Sequence, residues 1–273
     1  MPTTYAHYKF GVDVLQALPG HLRQAIEKNR ELYNIGLHGP DIFFYSNALF
    51  NNYLAQLGHK MHHQPGRVFF EDARKRLDKT EHQAAVRAYL YGFICHFSLD
   101  SQCHPYVEKM MQTSGVSHHE IEMEFDRYLE LGDGIFPATY LRTKHIVPSK
   151  KNGQIIAQCF DKVEPEKITA ALKNMIRIHK LLLANRPGKI AVLSGLMKAL
   201  GIHKKMYGLI VQEHGNPKCE KYNLILKKTY AQAVPQAVSL IIQFQKALYQ
   251  DTKLPQPFDA TFDHGSDWEK LHI

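Results

Sequence analysis

Apolar residues recur along this chain at three- and four-residue spacings, while strand-like alternation is almost absent. That is the period of helices burying one face. The pattern predicts a first helix over Tyr5 to Leu18, ended by Pro19-Gly20. A second runs through Arg23, Ile26, Leu32 and Tyr33 to about Gly36, before a turn at His38-Gly39-Pro40-Asp41, since Gly and Pro together interrupt a helix. Ile42 to Leu57 reads as helix, with Gly58 as the break. Thr80-Glu81 opens a strong helix through Ala84, Ala88, Leu90, Phe93 and Phe97, stopped by Pro105. Ser117 with Glu120 makes a capping-box pattern for the next, whose Ile121, Phe125, Tyr128 and Leu129 face inward. Pro148 to Gly153 reads as a polar loop and Gln154 to Phe160 as a short edge strand. Three more helices follow at about 164 to 185, 189 to 210 and 221 to 249. Pro187-Gly188 separates the first two, and Pro235 kinks or restarts the last. With no repeat or low-complexity segment, the expectation is an all-α fold, one multi-helical domain over 1–273.

Composition changes this picture little. A chain of 273 residues can hold one large core or two modest ones. Its 44% hydrophobic and 22% charged content is ordinary for a globular protein, so disorder is not the default. No apolar run approaches the roughly eighteen residues of a membrane span, and Met1 to Phe10 lacks the basic and apolar regions of a secretory signal. A cytoplasmic address is therefore expected. Cys95, Cys103, Cys159 and Cys219 include no C-x-x-C pair, and Cys95 and Cys103 lie eight apart on one helix. That is about 12 Å along the axis, beyond disulfide reach. The net charge of +8 suits phosphate in general. Lys and Arg are scattered, apart from short runs such as Arg74-Lys75-Arg76, Lys150-Lys151, Lys204-Lys205 and Lys227-Lys228. That scatter disfavours a dedicated nucleic-acid surface, and Lys204-Lys205 beside His203 reads as a solvated helix face.

The seventeen histidines demand an explanation. His96, Asp100 and His104 stand four apart on a helix whose Ile94, Phe97 and Leu99 are apolar. Such spacing puts all three on one face. A carboxylate there needs a partner, because burying an unpaired charge is costly. A metal is one such partner; a simple His–Asp hydrogen bond is another. Fourteen residues on, His118 and Glu122 repeat the four-residue spacing at which His and carboxylate share a zinc. His119 is out of phase, facing Met123. Asp41 reads as an N-cap or a ligand, His59, His62 and His63 as a solvated trio or a source of one ligand, and His7 carries little signal alone.

Together these pieces resemble the zinc-dependent phospholipase C family, whose superfamily includes zinc nucleases of single strands. The matching pieces are His7, Gly39-Pro40-Asp41, Gly58-x-x-Met61-His62, His96-x-x-x-Asp100 with His104, and His118-x-x-Ile121-Glu122, in family order over roughly the first 130 residues. The resemblance implies a helical cleft holding two or three zinc ions. It makes Asp41, His62, His96 and Asp100 ligands of one zinc, Asp100 a bridge to a second held by His7, and His104, His118 and Glu122 ligands of a third. His62 is chosen over His59 and His63 because the family-like phrase ends there. Asp41 would also be the general base. The implied reaction is phospholipase C-like phosphodiester hydrolysis by a metal-bound hydroxide. The implied partner is a phosphate-ester substrate, phospholipid or nucleotide-like, with peripheral membrane contact and no specific protein partner. One departure stands out. Secreted members place an N-terminal tryptophan on one zinc, whereas this chain begins Met1-Pro2 and its sole tryptophan is Trp268. The site with His7 is then expected to be short of ligands, and a cytoplasmic address counts against bulk membrane phospholipid.

Other readings are a nuclease or phosphomonoesterase on a soluble substrate, a non-catalytic metal-binding helical protein, and a helical interaction module with surplus histidines. Structural zinc sites are usually cysteine-rich, whereas this set has no cysteine. The helical phosphohydrolases that use adjacent His-Asp are disfavoured because that dipeptide is absent. His179, His203 and His214 are expected at the surface.

Overall fold

A computed structural model describes residues 4–46, 52–183, 187–203, 207–210, 214–250, 252–265 and 267–273. The Met1-Pro2 start, the Lys204-Lys205 pair, and parts of the helices expected over 42–57, 164–185 and 189–210 lie outside them. The fold is all-α, of the kind expected for the zinc-dependent phospholipase C type, and no strand occurs among the described residues. Its helices are α1 (Thr4–Ala17), α2 (Gly20–Glu27), α3 (Arg30–Gly36), a 3-10 segment (Gly39–Tyr45), α4 (Tyr53–His63), α5 (Gly66–Leu77), α6 (Gln83–Ser114), α7 (His118–Gly132), α8 (Lys150–Ala157), α9 (Pro165–Leu182), α10 (Pro187–Ala199) and α11 (Glu220–Gln250). Among the described residues, no helix is long and apolar enough to cross a membrane.

The 32-residue α6 is the axle, packed chiefly on α3 and α11 and touching α1, α7 and the 3-10 segment. Its approach to α3 depends on two glycines. A Cβ on Gly92 would sit 2.1 Å from the Tyr33 carbonyl oxygen, and one on Gly36 would sit 2.2 Å from that of Tyr89. Absence of both side chains lets the backbones touch. The main cluster of buried apolar residues runs from Tyr5 to Phe262. A small second cluster gathers Leu182, Leu193, Met197, Leu209 and Ile210.

Several expected boundaries move. The second helix is two, α2 and α3, broken at Lys28-Asn29. Gly20 opens α2 rather than merely ending α1. Ile42 to Leu57 is not one helix: the 3-10 segment ends at Tyr45, and α4 begins after Asn52, whose Oδ1 accepts the Ala55 N–H at 3.0 Å. Gly58 lies inside α4, a cost of about 1 kcal/mol that packing absorbs. Pro105 does not stop α6, because Cys103, His104, Val107 and Met110 on both sides of it are buried; the helix ends at Gly115, with φ +70°.

Ser117 occupies the cap position of α7 without a side-chain cap, and Glu120 accepts from Asn216 Nδ2 at 2.7 Å instead. The expected loop at 148–153 and strand at 154–160 are replaced by α8, started by Ser149 Oγ accepting the Asn152 N–H at 3.1 Å. Pro187 is the first residue of α10, which ends at Ala199 rather than continuing to 210. The last helix runs on through Pro235. All four cysteines are free and buried.

After α11 the chain forms a strap. Phe258 and Phe262 are buried, and Arg67 grips the strap from α5. Its Nη1 and Nη2 donate to the carbonyls of Leu254 and Pro255 at 2.7 and 3.0 Å, and its Nε meets Asp259 Oδ1 at 2.5 Å. The Gly66 N–H adds a bond to the Ala260 carbonyl.

Candidate metal centre

Four segments converge around the middle of α6. Residues His96, Asp100 and His104 rise along one face of it, one turn apart. Opposite them stand His7 from α1, Asp41 from the 3-10 segment, His62 from the last turn of α4, and His118 and Glu122 from the start of α7. All are buried except His62 and His118, which are partly exposed.

The donor atoms fall into three groups: His7, His96 and Asp100; Asp41, His62 and His96; and His104, His118 and Glu122. Asp100 faces two ways. Its Oδ1 lies 3.1 Å from His7 Nε2 and 3.7 Å from His104 Nε2, while its Oδ2 lies 3.0 Å from His96 Nε2. Asp41 Oδ1 is 3.1 Å from His62 Nε2, and its Oδ2 is 3.6 Å from His96 Nε2. Glu122 Oε1 is 3.2 Å from His104 Nε2 and 3.0 Å from His118 Nε2. His62 is thus the member of its trio that faces Asp41. His63 is exposed and pairs with Asp263 at 2.9 Å, and His59 packs its ring 4.7 Å from Phe44.

The far side of the rings reveals their tautomers. Nδ1 of His62, His96 and His104 meets the backbone carbonyls of Gly58, Leu37 and Phe262 at 2.7, 3.3 and 2.5 Å. A carbonyl only accepts, so each Nδ1 carries a hydrogen and each Nε2 aims at the cluster. Metal-ligating histidines are oriented in this way. A neutral Nε2 and a carboxylate oxygen both offer lone pairs, so a proton or a metal cation must lie between them.

Geometry favours a metal. His7 Nδ1, both Asp41 oxygens, His96 Nε2, Asp100 Oδ2 and Glu122 Oε2 are buried without a hydrogen-bond partner, although several lie close to an opposite group. His104 Nε2 and Glu122 Oε1 do meet hydrogen-bond geometry, but the close approaches of His96 Nε2 to Asp100 Oδ2 and to Asp41 Oδ2 do not. Donors about 2.0–2.2 Å from a tetrahedral zinc lie roughly 3.3 Å apart, within the spread seen here. Between His7, Asp100, His104 and Glu122 is a cavity of about 20 Å³, room for one water-sized occupant. Zinc therefore fits the residues present.

Without a cation, protons take that role. Burial opposes ionisation of Asp100, yet His104, His96 and His7 hold its carboxyl well below the usual range. Burial likewise opposes the charge on Glu122, and His118 and His104 prevail. Burial would lower His104, but Asp100 and Glu122 push it up to about 10. His7 and His62 also rise, against burial, through Asp100 and Asp41 respectively.

Sequence reasoning missed the supports. Asp126 is fully buried and accepts the N–H groups of Tyr5 and Ala6 at 3.0 and 2.7 Å, anchoring the first turn of α1 just before His7. Arg142 holds this anchor, with Nε 3.4 Å from Asp126 and Nη2 2.5 Å from Glu130. The signal was a charged stripe, Asp126 and Glu130, on a helix face that also carries Glu122. His179 is not a surface histidine. Its Nε2 lies 3.1 Å from Thr4 Oγ1 and 3.0 Å from Tyr45 Oη, and burial pushes it down to about 3. His38 and His145 share a hydrogen between their Nε2 atoms at 2.7 Å, and burial keeps both neutral. His203 bonds Ser194 Oγ at 3.0 Å, and neither it nor His214 joins a donor group among the described residues.

A family model described as zinc dependent phospholipase C matches residues 6–178, a stretch containing all eight donors and ending inside α9. Neither a curated protein nor a solved structure matches the chain.

Proposed function

The chain belongs to the zinc-dependent phospholipase C family, and from that premise we propose that it hydrolyses the phosphodiester bond of a phospholipid. The observation that supports this best is the set of three histidines whose Nδ1–H groups are tied to backbone carbonyls while Nε2 meets carboxylates. Such sites are prepared for a cation before it arrives.

The proposed ligand sets are Asp41, His62, His96 and Asp100 for one zinc, His7 and Asp100 for a second, and His104, His118 and Glu122 for a third. His96 stands in two donor groups but has one free nitrogen, so it serves one ion. Asp100 has two oxygens facing different histidines and is the natural bridge. Bound zinc supplies Lewis acidity, acidifying water and neutralising phosphate charge.

The chain's own groups do the rest. Asp41 has two buried oxygens without hydrogen-bond partners, so it can both hold a cation and take the proton of an attacking water. The water oxygen bonds to phosphorus as the bond from phosphorus to the diacylglycerol oxygen breaks. That oxygen leaves with a proton, giving diacylglycerol and a phosphorylated headgroup. No serine or cysteine nucleophile is required: all four cysteines are buried, and burial pushes Cys103, beside the cluster, far above the usual thiol range.

Elemental analysis of untagged protein should find two or three zinc ions per chain. The loaded protein should release phosphorylated headgroup from phosphatidylcholine faster than phosphate from a monoester or nucleotides from single-stranded DNA. Zinc at that ratio with nuclease or monoesterase activity alone would move the substrate to the soluble class. No bound metal after incubation with zinc would overturn the enzyme reading.

A further inference from the structure

Helix α10 is apolar on both faces. Leu193 and Met197 point inward onto Leu182 of α9. On the opposite side Val192 and Leu196, continued by Leu200 just past the helix end, are spaced four residues apart, with exposures of 67%, 59% and 60%. Leu181 of α9 is also exposed, and Ala191, Gly195 and Ala199 fill the spaces between. An apolar stripe on the face turned away from the core, interrupted only by polar residues at its edges, calls for a second apolar or amphipathic neighbour. At 13 residues α10 is too short to span a bilayer.

Charge indicates what covers it. From Lys167 to Gln212 the sequence has nine lysines and arginines and no aspartate or glutamate. This stretch alone therefore carries +9 in a chain whose total is +8. Lys180 and Lys198 are exposed beside the apolar stripe. Apolar residues framed by cations are the composition of a surface that lies in the headgroup layer of an anionic membrane.

The stripe also connects to the metal-site elements. α9 packs on the segment carrying Asp41 and reaches Tyr45 through His179. The Tyr207–Leu209 turn beyond α10 packs on α7, which carries His118 and Glu122. All of α10 lies past residue 178, where the family match ends.

We propose that the exposed face of α10, with Leu181 and the flanking lysines, docks the protein on anionic phospholipid surfaces by shallow insertion of Val192, Leu196 and Leu200. Choosing a lipid over an acidic protein rests on the phospholipase reading; the apolar, cationic character of the face does not.

The test is sedimentation with phosphatidylcholine vesicles and with mixed phosphatidylcholine–phosphatidylglycerol vesicles, beside the combined variant Val192→Ser, Leu196→Ser and Leu200→Ser. That variant keeps the net charge, so it isolates the apolar contribution. Wild type should bind mixed vesicles far better than neutral ones, and less as salt rises. The serine variant should bind about tenfold or more weakly, with helix content and hydrolysis of a monomeric short-chain phospholipid unchanged. Lys180→Glu with Lys198→Glu should remove most of the preference for phosphatidylglycerol. Wild type failing to bind mixed vesicles, or a serine variant binding as well as wild type, would overturn the proposal. So would a wild-type dimer that the serine variant converts to monomer without change in vesicle binding, which would assign the face to a second copy. Because sedimentation reads binding without turnover, failure here leaves the hydrolase reading standing, and failure of hydrolysis leaves the docking result standing.

Discussion

Gly39 brings the backbone against the candidate metal centre at His96. It has φ +44°, and a Cβ placed there would lie 2.2 Å from Cδ2 and 2.8 Å from Nε2 of His96. Relief to an ordinary contact near 3.4 Å requires a shift of about 1.2 Å, several times the roughly 0.2 Å tolerance of a metal–ligand distance. His96 cannot retreat: it is fully buried, stacked on His7 at 4.3 Å and tied to the Leu37 carbonyl. Gly39→Ala should therefore cost about 1–2 kcal/mol for the left-handed backbone and about 1–3 kcal/mol for overpacking. At roughly 2–4 °C per kcal/mol for a chain near this size, the melting temperature falls by about 4–20 °C. Gly115→Ala is the control, because Gly115 has φ +70° with open space where its Cβ would go. It should carry only the backbone cost and keep its zinc. Thermal melts and elemental analysis of both variants decide the matter. Equal melting temperatures and equal zinc in the two would show that the His96 collision has no consequence.

Other perturbations test neighbouring parts of the scheme. His96→Ala and Glu122→Ala should each lower zinc by about one ion per chain with helical circular dichroism largely retained; unchanged metal in both would remove the assigned ligand sets. In chelator-treated protein, the raised His104 value gives a stabilisation that is full below its ordinary value of 6.5 and is lost as pH rises toward about 10. Melts of the metal-free protein across that window should fall, whereas zinc protection should grow with pH because zinc needs the neutral imidazole; a rising metal-free profile would contradict the pairing. Arg67→Ala should cost about 1–2 kcal/mol through its partly exposed bonds to the strap, and should weaken zinc held by His104 more than that held by His62. Equal weakening of both would separate the strap from the metal centre.

The helical class and five of the eight residues that the structure brings together, His96, Asp100, His104, His118 and Glu122, were legible from short-range periodicity, whereas His7, Asp41 and His62 entered only through the family resemblance. His96, Asp100 and His104 need only four-residue spacing to share a face, and His62 finds its carbonyl at Gly58 one turn back. Supports that arrive from far away left no such trace. The Phe262 carbonyl that orients His104 is 158 residues distant, and Asp126 reaches back about 120 residues to the start of α1. Pro105 and Gly58 misled because local propensity costs are small beside the burial of the surrounding turns. Helix α8 was hidden by its polar start, where Ser149 supplies a cap that reads in sequence as loop chemistry.

The strap also sets a clock. His104 and Glu122 leave the ribosome long before Phe262, and at about 5–20 residues per second the intervening synthesis takes roughly 7–28 s. Until then the His104 imidazole has no carbonyl to fix its tautomer. The third donor group therefore matures only when the tail folds back over α5. Before that point His104 can present either ring nitrogen to Glu122.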